Sequence, residues 1–341
     1  MILVKPYIEL SQNENDALNS YLNRRKDEIL PYQTLSFLRL VDEVFGYKNI
    51  SLVAFHDNGG VCGFVPQWKK GANIESVPWR DKGGPVFETE DILDALREET
   101  LRIAKENGAT GVLWKDFCDP KFAQRSYFIN VDIELGKFDR EAYWNALPSQ
   151  VRGKIRQAQK NNLRFRILES PDEYAIQSFY QIFVENRHRL GVPTYPIALF
   201  VSYFKQFSPD TIKLCEVVTD KGNVVSSLIL LLNGQVAIDA YSGSTQEGLY
   251  LRANDLMILN VISFCLERGI KKFDFGADSP LQESLIVYKT KWLGQRRHIS
   301  SSTWGDSKEV DPNKKTYAIA RSVLRHLPPW PYQMLSSLLV R

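Results

Sequence analysis

At 341 residues, with 44% apolar and 12% aromatic side chains, the chain is long enough for two buried cores and too apolar for wholesale disorder. Its four cysteines, Cys62, Cys118, Cys215 and Cys265, form no C-x-x-C pair and fit reduced thiols rather than a disulfide framework. A net charge of +3 identifies no partner, but the cations are unevenly placed.

The opening Met1-Ile-Leu-Val-Lys-Pro6 lacks the pattern of a secretion signal, and no run reaches the roughly 18 apolar residues that span a bilayer. The expectation is a cytoplasmic protein, able to work at the inner face of the membrane. Leu35 to Val44 is apolar at helical spacing. Ile50 to Phe55, the turn His56-Asp-Asn-Gly-Gly60 and Val61 to Trp68 predict a β-hairpin. After Gly83-Gly-Pro85, the stretch Asp91 to Asn107 predicts a helix with Thr89 or Asp91 near its N-cap and Gly108 at its end. Gly111 to Lys115 and Tyr127 to Leu135 read as strands.

Between Val151 and Arg166 stand six cations and no acid: Arg152, Lys154, Arg156, Lys160, Arg164 and Arg166. Val151, Ile155 and Ala158 share one helical face, while Arg152, Arg156 and Lys160 form a stripe on another. Beyond it, Pro171 to Leu190 predicts a helix closed by Gly191. Ile212 to Thr219, Val224 to Leu232 and Gln235 to Tyr241 predict strands joined by turns at Asp220-Lys-Gly-Asn and Asn233-Gly234. A helix from Ala253 to Arg268 and a strand from Lys272 to Phe275 complete a strand, strand, strand, helix, strand order. The fold class is α/β, with the same element order suggested in both halves. The expected domains are 1–145 and 146–325, followed by a tail, 326–341. A basic amphipathic helix and Pro328-Pro-Trp-Pro-Tyr332 mark the segment from Lys314 to Arg341, which can dock on its own domain or make peripheral membrane contact.

Three stretches carry a family resemblance. They are Trp144-x-x-Leu147 with Arg152-Gly-Lys-Ile-Arg-Gln-Ala-Gln-Lys160; Arg187-His-Arg-Leu-Gly-Val-Pro-Thr-Tyr195; and Arg252-Ala-Asn254 through Phe273-Asp-Phe-Gly276 to Tyr288-Lys-Thr-Lys-Trp-Leu-Gly294. In order and spacing these resemble the FemAB-type transferases of the GNAT fold. The resemblance implies tandem GNAT-like domains, mixed sheets flanked by helices, with the active site mainly in the second. It implies transfer of an acyl or aminoacyl group to an amine of a cell-envelope precursor or surface-polysaccharide sugar. The donor would be acyl-CoA or aminoacyl-tRNA, with no tightly bound cofactor. The chain lacks the helical-hairpin arm of some tRNA-using members and the Gly-rich pyrophosphate loop of acetyl-CoA enzymes; only Gln246-Glu-Gly248 stands near that place.

The resemblance makes Lys289 the first catalytic candidate, a cation near the transferring carbonyl. Asp274 is the second, at a strand end where it would orient the acceptor amine or take its proton, or cap the following turn. Arg252 and Asn254 open a helix and suit a phosphate or carboxylate, although Asn254 also suits an N-cap. Tyr241 and Ser244 stand just upstream, Tyr241 also suiting a half-buried place in the sheet, and Tyr195 and Tyr288 belong to the quoted motifs. Arg152, Lys154 and Arg156 suit an anionic small-molecule or lipid-linked acceptor or a tRNA backbone; they equally suit a solvated helix face. Arg187 and His188 end a helix, where cations also favour the dipole. His188 has no second ligand at metal spacing, and no G-x-S-x-G, H-E-x-x-H or kinase loop set accompanies the Asp-Phe-Gly triplet. The rival expectation is a non-catalytic binder of an anionic polymer or tRNA on a degenerate transferase fold.

Overall fold

The computed structural model describes residues 2–307 and 315–340; Met1, 308–314 and Arg341, including both ends of the expected tail helix segment, lie outside the described residues. They form two compact units, 2–128 with 298–307 and 129–297 with 315–340. The elements of the first stretch are β1 (Leu3–Pro6), α1 (Gln12–Arg24), α2 (Leu35–Phe45), β2 (Lys48–Asn49), β3 (Leu52–Phe55), β4 (Val61–Val65), β5 (Gln67–Lys70), β6 (Asn73–Ser76), β7 (Val86–Phe87), α3 (Glu90–Glu106), β8 (Gly111–Trp114) and β9 (Ala123–Glu134). There follow α4 (Arg140–Ala146), α5 (Ser149–Lys160), β10 (Arg164–Leu168), α6 (Glu173–Leu190), α7 (Ile197–Gln206), β11 (Ile212–Val218), β12 (Val224–Asn233) and β13 (Val236–Ser244). The chain ends with α8 (Gln246–Tyr250), α9 (Ala253–Glu267), β14 (Lys272–Asp278), α10 (Glu283–Thr290), β15 (Gln295–Gly305), α11 (Lys315–His326) and α12 (Pro329–Leu339). The expected boundary at 145/146 falls at the end of α4, within the second unit.

In the first unit, β1, β3, β4 and β7 form an antiparallel sheet. A second set runs β15, β8, β6, β5, β2, with β6 and β8 parallel. The strand expected from Val61 to Trp68 is two strands, because Pro66 lacks the N–H that would continue a ladder; β4 and β5 go to different sheets.

The second unit holds the order β10-β11-β12-β13-β14-β9. Every neighbouring pair is antiparallel except β13 and β14. A parallel pair needs a crossover, and α8 and α9 provide it. Side chains alternate across β12. Leu228, Leu230 and Leu232 join the core built with Val151, Ile155 and Ala158 of α5 and with Met257, Val261 and Ile262 of α9. Ile229 and Leu231 point to the other face, where α6 packs against β12 and β13. There Phe179, Phe183 and Phe200 form edge-to-face contacts that include Tyr241 at 5.0 Å from Phe200 and 5.6 Å from Phe183.

The expected strand order of the second half is present, but the basic stretch is not one helix. It breaks at Asn161-Asn162, with Asn162 at φ 53°, so Arg164 and Arg166 belong to β10. Arg166 pairs with Glu216 across the β10–β11 ladder at 2.7 Å.

The docking of α11 rests on Gly191, the left-handed cap of α6 at φ 69°, where an added Cβ would lie 2.2 Å from the Arg321 carbonyl oxygen. Gly191→Ala is expected to cost about 1–3 kcal/mol in urea unfolding. Gly153, mid-helix in α5 with open space around its Cβ position, should behave oppositely: Gly153→Ala is expected to stabilise by about 0.5–1 kcal/mol.

Candidate active site

The site grows from the point where β13 and β14 stop pairing. Their parallel ladder covers Val236↔Lys272, Ala237↔Phe273 and Ile238↔Asp274, while β13 continues to Ser244 and β14 to Asp278. Both strands are irregular there. β13 carries an extra residue, Ala240, against β12, and β14 shifts register against β9 between Asp274 and Ala277. Gly276 supplies the positive φ, 76°, that the second bulge requires. Bulges re-aim side chains, and here they gather four charged groups.

Lys289 lies buried in α10. Its ammonium donates to Phe275 O at 2.8 Å, Gly276 O at 3.3 Å and Asp278 Oδ2 at 2.5 Å. Asp274, also buried, accepts the Gly276 N–H at 2.8 Å, the turn-capping contact open to it from its sequence. It stands inside β14 and not at the strand end expected at Phe275. Asp239, half-buried on β13, accepts from Ser242 Oγ at 3.3 Å. Desolvation lifts its carboxyl to about 6; Lys289 and the Ser242 bond oppose the rise, and Asp278 and Asp274 add to it.

Asp239 was absent from the sequence candidates. A single acid inside the apolar run Val236 to Tyr241 was the available signal, since a carboxylate in a buried strand needs a reason to be there.

A second feature lies at the far end of β13. Gln157, Asn161, Gln246, Leu249, Tyr250 and Arg252 line an open depression of about 460 Å³. Lys154 and Lys160 sit three residues to either side of Gln157, hence on its helical face. Arg252 caps α9 with φ 63°, an uncommon conformation for a residue with a Cβ. Its exposed guanidinium makes no hydrogen bond among the described residues, and Arg152, Lys154, Arg156 and Lys160 form no ion pair among them. Arg156 lies over the Trp144 ring at 5.8 Å, and Arg152 reaches Asn145 O at 3.3 Å. Gly248 serves packing, since a Cβ there would meet Val225 O at 2.1 Å.

The other sequence candidates occupy packing positions. Ser244 donates to Ser226 Oγ at 2.8 Å and also bonds Asn254 Oδ1, tying the end of β13 to α9. Arg187 donates to Pro193 O at 2.6 and 2.9 Å and lies over the Phe183 and Tyr195 rings. His188 contacts Leu327 O through Nε2 at 2.8 Å and stacks on Tyr332. Tyr195 and Tyr241 belong to the aromatic cluster beneath α6. The Tyr288 hydroxyl is buried beside Trp292, and burial pushes its pKa up. Burial likewise raises the Cys62, Cys215 and Cys265 thiols, which disfavours a thiolate nucleophile at those positions. No group of metal-ligating side chains occurs among the described residues.

Residues 148–289 match the family model of the acetyltransferase (GNAT) domain, a span that holds α5, the depression and all four charged groups. This stretch is similar to an acetyltransferase (GNAT) domain. Solved structures agree at the level of fold. FemX superposes with a TM-score of 0.63 at 14% identity, covering 83% of this chain and 95% of that one. The C-terminal domain of a lysylphosphatidylglycerol synthetase from Agrobacterium fabrum gives 0.55 at 15%, covering 90% and 95%. A tandem GNAT protein from the clavulanic acid biosynthesis pathway gives 0.51 at 12%, covering 90% and 100%. No curated protein sequence matches the chain. The α/β class and the tandem GNAT-like fold expected from the motifs are therefore present, and the protein is an acyltransferase.

Within the GNAT domain, the Lys289–Asp278 pair is sealed, each side chain 10% exposed. Lys289→Met would leave a buried carboxylate uncompensated and is expected to cost about 3–5 kcal/mol. Adding Asp278→Leu should recover much of that loss. A double-mutant cycle by chemical denaturation measures the coupling.

Proposed function

We propose that the protein moves an acyl or aminoacyl group from an activated, phosphate-bearing donor to the amine of a cell-envelope precursor or surface-polysaccharide sugar. Both substrates meet in one ternary site, without a covalent enzyme intermediate. The observation that carries this reading is Asp239. It is half-buried beside the sealed Lys289–Asp278 pair, and its raised pKa suits a group that accepts a proton near neutrality.

The amine nitrogen attacks the donor carbonyl, a C–N bond forms, and the C–S or C–O bond to the donor breaks. The proton lost from nitrogen goes to Asp239, and the leaving group departs with the bonding electron pair. An ammonium has three N–H donors, and those of Lys289 face three oxygens. Lys289 is therefore a positioning residue that holds the bend of β14, and Asp274 supports the same bend. Proximity of the two substrates supplies much of the rate.

The depression at α5, α8 and α9 supports a phosphate-bearing donor. Asp239 and Ser244 are five residues apart on β13, roughly 17 Å of extended chain, so an elongated donor reaches from Arg252 to the carboxylate. Acyl-CoA fits a GNAT domain; aminoacyl-tRNA shares the phosphate chemistry and is the other donor to test. Arg152, Lys154 and Arg156 extend the cationic surface for either donor or for an anionic acceptor.

Labelled acyl-CoAs and charged tRNAs, offered with amino-sugar nucleotides and lipid-linked precursors, will name the donor. Asp239→Asn is expected to lower kcat by about 10²–10⁴-fold with little change in KM. The parent's rate should fall below a limb near pH 6, because protonated Asp239 accepts nothing. The stability sign separates this from misfolding. A carboxyl whose folded pKa is raised from 3.8 to about 6 stabilises the fold below the lower value and loses that contribution as pH rises through the upper one. Asp239→Asn should thus be at least as stable as the parent at pH 7. Equal kcat for the two proteins, with no limb near pH 6, excludes Asp239 as the base. Arg252→Ala should raise the donor KM and leave kcat within a few-fold.

A further inference from the structure

The helices α11 and α12 pack against α6 by one side only. Leu324 is buried on that side, and Arg321 donates to Leu190 O at 3.1 Å. In and just after α12, Tyr332, Ser336 and Val340 are buried at four-residue spacing, and the Tyr332 hydroxyl donates to Val192 O at 2.8 Å. The tail therefore docks on its own unit.

The opposite side is apolar and faces outward. Ile319 and Val323 repeat at four residues along α11, and Trp330, Met334 and Leu338 do so along α12, with Leu339 beside them. These six side chains are 50–74% exposed and make up half of the twelve large exposed apolar side chains among the described residues. From Lys315 to Val340 there is no Asp or Glu, while Lys315, Arg321, Arg325 and His326 are present. A helix pair of this kind keeps its apolar face dry only against something.

We infer that this face docks on an anionic lipid bilayer. The charge pattern selects that occupant. Acidic headgroups complement Lys315, one turn before Ile319 at the edge of the apolar row, and an outward Trp330 suits the headgroup boundary. A second copy of the chain would bring two acid-free cationic faces together, which like-charge repulsion opposes. The helices lie in the plane of the interface and do not cross it; no helix among the described residues is long and apolar enough to do so. This inference stands apart from the transfer chemistry, since its readout is binding.

Co-sedimentation of the full chain with vesicles of phosphatidylcholine, with and without phosphatidylglycerol, tests it. Binding to the anionic vesicles should exceed binding to neutral ones by at least about tenfold and weaken with salt. Trp330→Ser with Leu338→Ser, and separately Lys315→Glu, should each lower the anionic partition by about tenfold or more. All three positions are exposed, so melting temperature should stay at the parent's value. No binding to anionic vesicles, equal binding to neutral ones, or binding indifferent to these substitutions overturns the inference. So does a concentration-dependent dimer that the Trp330/Leu338 variant abolishes, since the face then belongs to a second copy.

Discussion

The ammonium of Lys289 has three oxygens within 3.3 Å, and the shape of the second unit's site follows from that saturation. An unpaired cation in so apolar a place would be costly, and the backbone offers the remedy by turning two carbonyls inward at Phe275 and Gly276. That turn is the bulge of β14, made possible by the positive φ of Gly276 and closed by Asp274. Three acids and one base then share a small volume. With Asp278 satisfied by Lys289 and Asp274 by the Gly276 N–H, Asp239 is the acid least compensated. Its raised pKa is the electrostatic residue of an arrangement built to hold a strand.

The sheet sets this arrangement within reach of the cationic depression. A single parallel pair inside an otherwise antiparallel sheet forces the α8–α9 crossover, and the crossover brings Arg252 and the face of α5 to one end of β13 while Asp239 stands five residues before that end. Gly248 has no cradle of backbone N–H groups to build. Its missing Cβ lets α8 sit against Val225 O, and the cationic surface must come from side chains.

Much of this was legible in the sequence, for identifiable reasons. The Asn233-Gly234 turn and the apolar runs around it give β12 and β13, because short-range turn chemistry leaves few alternatives. Gly191 marks the end of α6 by its capping role. The motif order brought out the GNAT-like fold. What stayed hidden depends on contacts distant in sequence. Arg187 and His188 look like binding residues until Pro193 O and Leu327 O are seen to take their donors. Asp239 looks like a strand residue until bulges in two strands turn it toward Lys289. A sequence shows which groups are charged; the neighbours that discharge them come from folding.

The first unit draws β15 from residues far along the chain, and Ser302 Oγ accepts the N–H of Asp119 across a sequence separation of 183. A protein made from its N-terminus therefore presents β8 without that neighbour until the stretch of the second unit from 129 to 297 has been synthesised. The interval is long enough for an open strand edge to find another partner, which is the hazard that ribosome-associated chaperones exist to manage. The same threading means that no single cut yields two self-sufficient halves; only a circularly rearranged chain, with β15 carried back beside β8, would separate one unit from the other.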